Sequence, residues 1–418
     1  MILSTPTGDE HVSAVARPPS NFSAFGGNRI DTMTGRAVTP GSAFGIAAFY
    51  SGANLIAKTG GTLPLKVYER TVDASQLVDP TRAQIAMRLR HQPNPDVSAH
   101  AFWTTVILHL VSQGNAYAAK VYAPGEFAPY LYLVAPEHVF PFRGETGEKL
   151  FRVVTPQSGR EFTLSSRSLL HIPGISMGDG LMGHSPVSVM RHRLGVNLAA
   201  SEHQQRFFSN GGAIRGILSV DGSLTTEAAE TIRDQWQATY GGLDNAWKTA
   251  VLDHGAKYQT VSMSNEDAQF IDMMKLGSTE IAAMLNIPPA MIGAEGASLT
   301  YANAQQNDLH FLKFTLRPWL RYVESALNND PDLFGAQSRW EPMFDVDDLI
   351  RPDIKTRFEV AKIGREIGVL GVNEVRRDED RPPLSAADLT DPLFAPAAKS
   401  PAAKPQEDTT NAPDQLPA

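Results

Sequence analysis

The residues from Ser185 to Gln306 constrain this chain more than any other part of it. They hold two long stretches of helical periodicity, a module inserted between them, and a double proline that ends the second stretch. The first opens at Ser185, a natural helix cap, with Pro186 at the first helical position. Met190, Leu194 and Leu198 recur at four-residue spacing, and Asn210-Gly211-Gly212 supplies the stop. The second starts at Ser264-Asn265-Glu266-Asp267, an S-x-x-D signal, and runs to Asn286. Pro288-Pro289 forbids continuation, since proline lacks the N–H a helix needs and its ring clashes with the preceding turn. Two helices that could otherwise meet through a short turn are thus separated by strand AIRGILSV, helix TTEAAETIRDQWQATY and strands KTAVLDHG and KYQTVSM.

Beyond the prolines, NIPPAMIGAEGASLTYANAQQ is a Gly- and Ala-rich connection, longer than the usual helix–helix span of about 2–8 residues. A third long helix then carries Leu309, Leu312, Leu316, Leu320, Val323 and Leu327. Pro318 sits inside that pattern, which predicts either a kink near Arg317 or a new helix starting there. RWEPMFDVDDL and a helical stretch from Asp353 to about Asp380 close the ordered part.

The half before Ser185 has a different texture. SAFGIAAFYSGANLIAKTGG places Phe44, Ala48, Ser51 and Leu55 on one helical face, with Gly60-Gly61 as its stop, and PLKVYER reads as a strand. AHAFWTTVILHLVSQGN is helical, whereas AYAAKVYA and PYLYLVA alternate as half-buried strands do. Residues 41–185 are therefore expected to form a mixed α+β domain. Residues 1–40 and 386–418 are rich in Ser, Pro, Ala and charge without hydrophobic period, and read as a mobile arm and a disordered tail.

Composition narrows the functional classes. The 418 residues include no cysteine, which excludes disulfides, iron–sulfur clusters and thiolate zinc sites and fits a reducing cytosol. The formal net charge of −8 makes a surface that grips phosphates throughout a poor expectation. No apolar run approaches the roughly 18 residues of a membrane span, so a soluble intracellular protein without membrane partners is expected.

Catalytic motifs are equally sparse. Gly183-His184-Ser185-Pro186-Val187 begins like a G-x-S-x-G nucleophile elbow, but Val replaces the last glycine and Ser185 already serves as a cap. The histidines are dispersed, with neither an H-E-x-x-H nor an i,i+4 pair. Asp345, Asp347 and Asp348 offer three carboxylates in four residues without the glycine turn or closing glutamate of a calcium loop, and no P-loop occurs. No catalytic, cofactor-binding or metal site is expected. Two other readings stay open: a sequence-tolerant DNA-binding oligomer using Arg191-His192-Arg193, Arg206 and Phe207-Phe208, and a hydrolase built on Ser185.

The order of the parts resembles the portal proteins of tailed double-stranded DNA phages. QGNAYAAKVY with PYLYLVAPEHV, then GLMGHSPVSV, FFSNGGAIRGILSVDGSLT, SMSNEDAQF, EIAAMLNIPPAMIG and LKFTLRPWL look like that family's landmarks in their usual sequence, over residues 41–385. The resemblance implies an α+β portal fold: wing at 41–185, stem helices at 186–210 and 265–287, a small αβ clip at 211–264, a tunnel loop at 288–302, a bent helix returning to the wing at 303–350, and a helical crown at 351–385. It further implies a ring of twelve copies at one capsid vertex of the virion, assembled in the host bacterial cytoplasm. The implied partners are the major capsid protein, the terminase large subunit, a head-completion adaptor and the double-stranded DNA passing through the channel.

Within that frame the loop residues Pro288, Pro289, Gly293, Glu295, Gly296, Ser298, Thr300 and Asn303 would face the channel, where small side chains permit crowding. On the second stem helix, Glu266, Asp267, Asp272 and Glu280 stand against Lys275 alone. That balance suits a lumen that repels a sliding polyanion, because every phosphate neutralised by Lys or Arg adds binding free energy to be undone at each step. The clip would present Asp244 and Asn245 to the packaging motor, and Trp236, Tyr240 and Trp247 would pack within or between clips or meet the motor with them.

Overall fold

The computed structural model describes residues 32, 34–35, 37–70, 75–78, 83–156, 158–176, 178, 180–209, 216–219, 225–240, 257–260, 265–294, 301–335, 338–346, 349, 354–379 and 381–385. In chain order the elements are α1 (Pro40–Ala43), α2 (Ala47–Thr62), β1 (Leu65–Arg70), β2 (Ser75–Leu77), α3 (Gln84–Arg90), α4 (Ala99–Gln113), β3 (Asn115–Val121), β4 (Tyr130–Val134), β5 (Val139–Arg143), β6 (Lys149–Val154), β7 (Glu161–Ser165) and β8 (Leu169–Pro173). There follow α5 (Pro186–Val189), α6 (Arg191–Ser209), β9 (Gly216–Ser219), α7 (Thr226–Tyr240), β10 (Lys257–Thr260), α8 (Asn265–Met284), α9 (Tyr301–His310), α10 (Arg317–Asn329), β11 (Trp340–Phe344), α11 (Ile354–Glu366) and α12 (Val372–Asp378). The chain divides into two compact units, Met1–Asp345 and Val346–Ala418.

In the first unit, α2 and α4 lie against each other closely enough that Gly61 cannot carry a side chain. A Cβ there would sit 3.0 Å from the His100 carbonyl oxygen of α4. The pair Gly60-Gly61, expected to end the helix, lies instead inside its last turn, with the end at Thr62, because the contact with α4 needs small residues at that point. Phe44, expected on the same helical face, caps the separate short helix α1. β3 is buried along almost its whole length, as the centre strand of the antiparallel order β4-β3-β8. Tyr117 and Ala119 from this sheet meet Phe151, Val153 and Val139 from the β5-β6-β7 sheet in one apolar cluster. A third sheet, β11-β1-β2, joins the ends of the unit in sequence, since Leu65 pairs with Phe344 and Glu69 with Trp340.

The helical stretch read from Ser185 onward is divided. Pro186–Val189 forms one turn, Met190 leaves helical geometry at ψ 12°, and α6 begins at Arg191. The bend expected from Pro318 takes a particular form: Phe311–Leu316 is a π-helix between α9 and α10, and Arg317 N–H donates to the Leu312 carbonyl five residues back. Before α1, Thr32 is buried and lies against Gly195, so part of the stretch read as an arm has a seat on α6.

The second unit contains α11 and α12. Arg357 on α11 holds Glu379 at 2.9 Å, and the Asn373 side chain accepts from Leu384 N–H at 2.8 Å and donates to the Leu384 carbonyl at 3.1 Å. Among the described residues, no helix is long and apolar enough to cross a membrane, and no group of three or more His, Cys, Asp or Glu is placed to hold a metal. Asp345 is ion-paired with Lys66, while Asp347 and Asp348 lie outside the described residues.

Candidate channel and stem segments

The start of α5 is held by a polar knot at the ends of α4 and β8. Gly114 ends α4 in the left-handed conformation at φ 73°. Asn115 beside it donates to the Gly183 carbonyl at 2.7 Å and accepts from Gly183 N–H at 2.8 Å. His171 Nε2 donates to the same Asn115 oxygen at 3.0 Å, and its ring stacks on Tyr117. Burial holds the His171 pKa well below the usual histidine range, with Lys149 adding to the effect. Ser185 then accepts from Ser188 N–H at 3.2 Å and gives its own proton to the Ser112 carbonyl at 2.9 Å. Its hydroxyl is thus a helix cap whose proton goes to a backbone oxygen, an arrangement that does not activate a nucleophile.

From here α6 and α8, the two segments expected to form a stem, run against each other. Gly277 of α8 faces the side-chain amide of Asn197 on α6, which a Cβ there would displace, and Glu280 meets Arg193 at 3.4 Å. Glu280 is therefore half-buried and turned toward its partner helix. Lys275 is exposed. Glu266, Asp267 and Asp272 lie on α8, but their side chains are outside the described residues. Of the basic set read as a possible DNA contact, Arg191 donates to the Ser188 carbonyl, while Arg193 and Arg206 remain largely exposed beside Glu280 and Glu202, and the side chains of Phe207 and Phe208 lie outside the described residues.

Where α8 ends, Asn286 stands at φ 54°, the left-handed position that a helix commonly uses to stop. Its side-chain N–H donates to the Phe314 carbonyl at 2.8 Å, and its own carbonyl accepts from the Thr315 hydroxyl. Pro318 has no N–H to offer the carbonyl four residues back, which is that of Phe314, so Asn286 supplies a donor that the helix lacks. The two ends of the intervening excursion are thereby tied together.

The first part of that excursion is anchored. Pro289–Ile292 forms a 3₁₀ turn, Pro288 and Pro289 are half-buried, and Gly293 turns the chain at φ 75°. Leu285 and Ile287 are buried; a Cβ at Gly52 on α2 would lie 2.5 Å from Leu285 and 3.1 Å from Ile287. Glu295, Gly296, Ser298 and Thr300 lie outside the described residues, and Asn303 is placed only as a backbone position on α9. In the module between the stem helices, β9 and β10 pair antiparallel, Lys257 with Ser219. Trp236 on α7 is half-buried, Tyr240 is its last residue, and Asp244, Asn245 and Trp247 lie outside the described residues, as does KTAVLDHG.

Sequence reasoning missed Asn286, Thr315 and Asn115. It also missed a buried cluster in which Lys120 Nζ lies 2.9 Å from both oxygens of Asp330 and 2.8 Å from Asp332. An asparagine two residues before a double proline is a readable helix-stop signal, but its partner 28 residues away is not.

The model of the family described as phage portal protein matches residues 47–380, and the chain belongs to that family. It is 30% identical to the probable portal protein of Streptomyces phage phiC31 over 84% of this chain and 78% of that one. It is 25% identical to the portal protein of Enterobacteria phage HK97, over 82% and 80% respectively. Among solved structures, the fold is similar to a chain from the neck of a native gene transfer agent particle computed with C12 symmetry, with TM-score 0.57 and 21% identity, covering 82% of this chain and 92% of that one. It is likewise similar to an HK97-family portal protein from Corynebacterium diphtheriae, with TM-score 0.53 and 14% identity, covering 76% and 99%.

Proposed function

We propose that this protein forms a ring of twelve copies at one capsid vertex. The ring is the channel through which double-stranded DNA enters and leaves the head. It docks the terminase large subunit during packaging and a head-completion adaptor afterwards, while its outer surface is held by the major capsid protein. Family membership supports the portal role, and the neck particle's twelvefold symmetry supports the ring. The reading is that of a structural conduit without an active site of its own.

The observation that carries the channel assignment is the tie between Asn286 and the Phe314–Thr315 turn, together with the anchored Ile287–Ala294 segment. These contacts tie the end of α8 and the segment up to Ala294 to the rest of the fold, so changes at 295–300 that affect passing DNA should leave that packing intact. Ala294 is buried, so the test confines the deletion to Glu295–Ser298. Ring yield in negative stain should be unchanged, while the yield of DNA-filled heads falls. Loss of the ring would make this segment a structural connector, and normal yields of both would remove its role in handling DNA.

A further inference from the structure

The buried cluster around Lys120 holds an amine against a carboxyl group in a geometry from which the two can condense. Lys120 lies on β3, the centre strand of its sheet, and its side chain is fully buried. Asp330 caps the end of α10, and its main-chain carbonyl accepts N–H groups from Leu333, Phe334 and Gly335, so a fixed backbone carries the carboxyl. Lys120 Nζ is 2.9 Å from both Asp330 oxygens, and the Asp330 side chain is only 6% exposed. A nitrogen so placed lies within about 3.3 Å of the carbon between those oxygens, inside the roughly 3–3.5 Å of a near-attack arrangement.

An ion pair alone goes no further, because an ammonium has no lone pair with which to attack. Here a second carboxylate can move the proton: Asp332 Oδ2 is 2.8 Å from the same nitrogen. The main-chain N–H of Asp332 also donates to Asp330 Oδ1 at 3.1 Å, where negative charge gathers when the carbon becomes tetrahedral. Burial pushes the Asp330 carboxyl above its usual range, which favours the protonated form that an amine can attack.

We propose that Lys120 and Asp330 join in an intramolecular isopeptide bond, with Asp332 as the general base and then the general acid. The ammonium first passes a proton to Asp330 Oδ2, leaving a neutral amine and a carboxylic acid. Nζ bonds to Cγ, Asp332 takes a proton from the nitrogen, and returns it to the Oδ2 hydroxyl, which departs as water. One ammonium and one carboxylate become one amide and one water, Asp332 ends as it began, and no oxidant or reductant is needed. The product replaces a buried charge pair, costly to desolvate, with a neutral group. It closes the 210-residue span from β3 to the end of α10 covalently, which restricts the unfolded chain. The proposal concerns the single subunit and stands apart from the ring.

The full chain is held folded at neutral pH, denatured, weighed by intact-mass spectrometry and mapped by proteolysis. The expected mass is one water below that of the sequence, with a branched peptide that contains both Lys120 and Asp330. A full sequence mass that persists through prolonged incubation of the folded chain would overturn the proposal. So would a lost water with Lys120 and Asp330 recovered in separate peptides. Asp332→Asn keeps the side-chain shape without the base and should slow bond formation by about 100-fold or more. Linking at the original rate in that variant, with its folding confirmed by circular dichroism, would remove Asp332 from the reaction.

Discussion

The side-chain N–H of Asn286 donates to the main-chain carbonyl of Phe314 at 2.8 Å, filling a hydrogen-bonding position that Pro318 leaves without its helical donor. Asn286→Ala should destabilise the protein by about 2 kcal/mol. Roughly 1 kcal/mol comes from the lost hydrogen bond, and a similar amount from placing alanine at φ 54°. Urea unfolding measures the total. Asn286→Gly, which accepts that φ freely, should recover the second part only.

The same geometry couples two distant positions. Pro318→Ala restores an N–H that can serve the Phe314 carbonyl, so Asn286→Ala should cost less in that background than alone. A double-mutant cycle with a coupling of about 1 kcal/mol is expected. Strict additivity would show that the Asn286 donor does not stand in for the missing proline N–H.

Lys120 is fully buried with Asp330 and Asp332 around its ammonium group. Burial pushes the Asp330 carboxyl above its usual range, with Lys120 pulling against that shift. Lys120→Met leaves the carboxylates without their counter-charge and should cost about 3–5 kcal/mol in chemical denaturation. Adding Asp330→Asn and Asp332→Asn should return part of the loss, since the uncompensated charge is then gone.

Stability should fall as pH drops from 7 to 5. Burial lowers the His109 pKa to about 4 and holds His171 well below its usual value. The folded state therefore binds these protons less readily than the unfolded state, whose histidines titrate near 6.5. The stabilisation is complete above pH 6.5 and diminishes as pH falls toward the folded values. His171→Phe should flatten this dependence in thermal melts between pH 5 and 7, even if it lowers the melting temperature at pH 7 by removing the bond to Asn115.

Ser185→Ala should lower stability by about 1 kcal/mol through loss of the α5 cap and leave any background ester hydrolysis unchanged. A fall in hydrolysis at equal folded fraction would revive the nucleophile reading.

The sequence by itself determined the elements whose cause is local. Ser185-Pro186 starts a helix because a hydroxyl can meet an unpaired N–H, and Pro288-Pro289 lies past the end of α8 because proline cannot continue the ladder. The ordered landmarks also carried the family. Tertiary structure decided what depends on partners far along the chain. Gly60-Gly61 reads as a helix stop in sequence, yet these glycines stay within α2 because α4 approaches too closely for a side chain at Gly61. Pro318 predicted a disturbance, but it took Asn286, brought alongside by the packing of Leu285 and Ile287 on α2, to supply a donor to the carbonyl it leaves. Glu280 looked like a free acid on a helix face until α6 placed Arg193 beside it. Helical period and capping act over a few residues, whereas hydrogen-bond satisfaction and close packing are set by whichever segment the fold brings near.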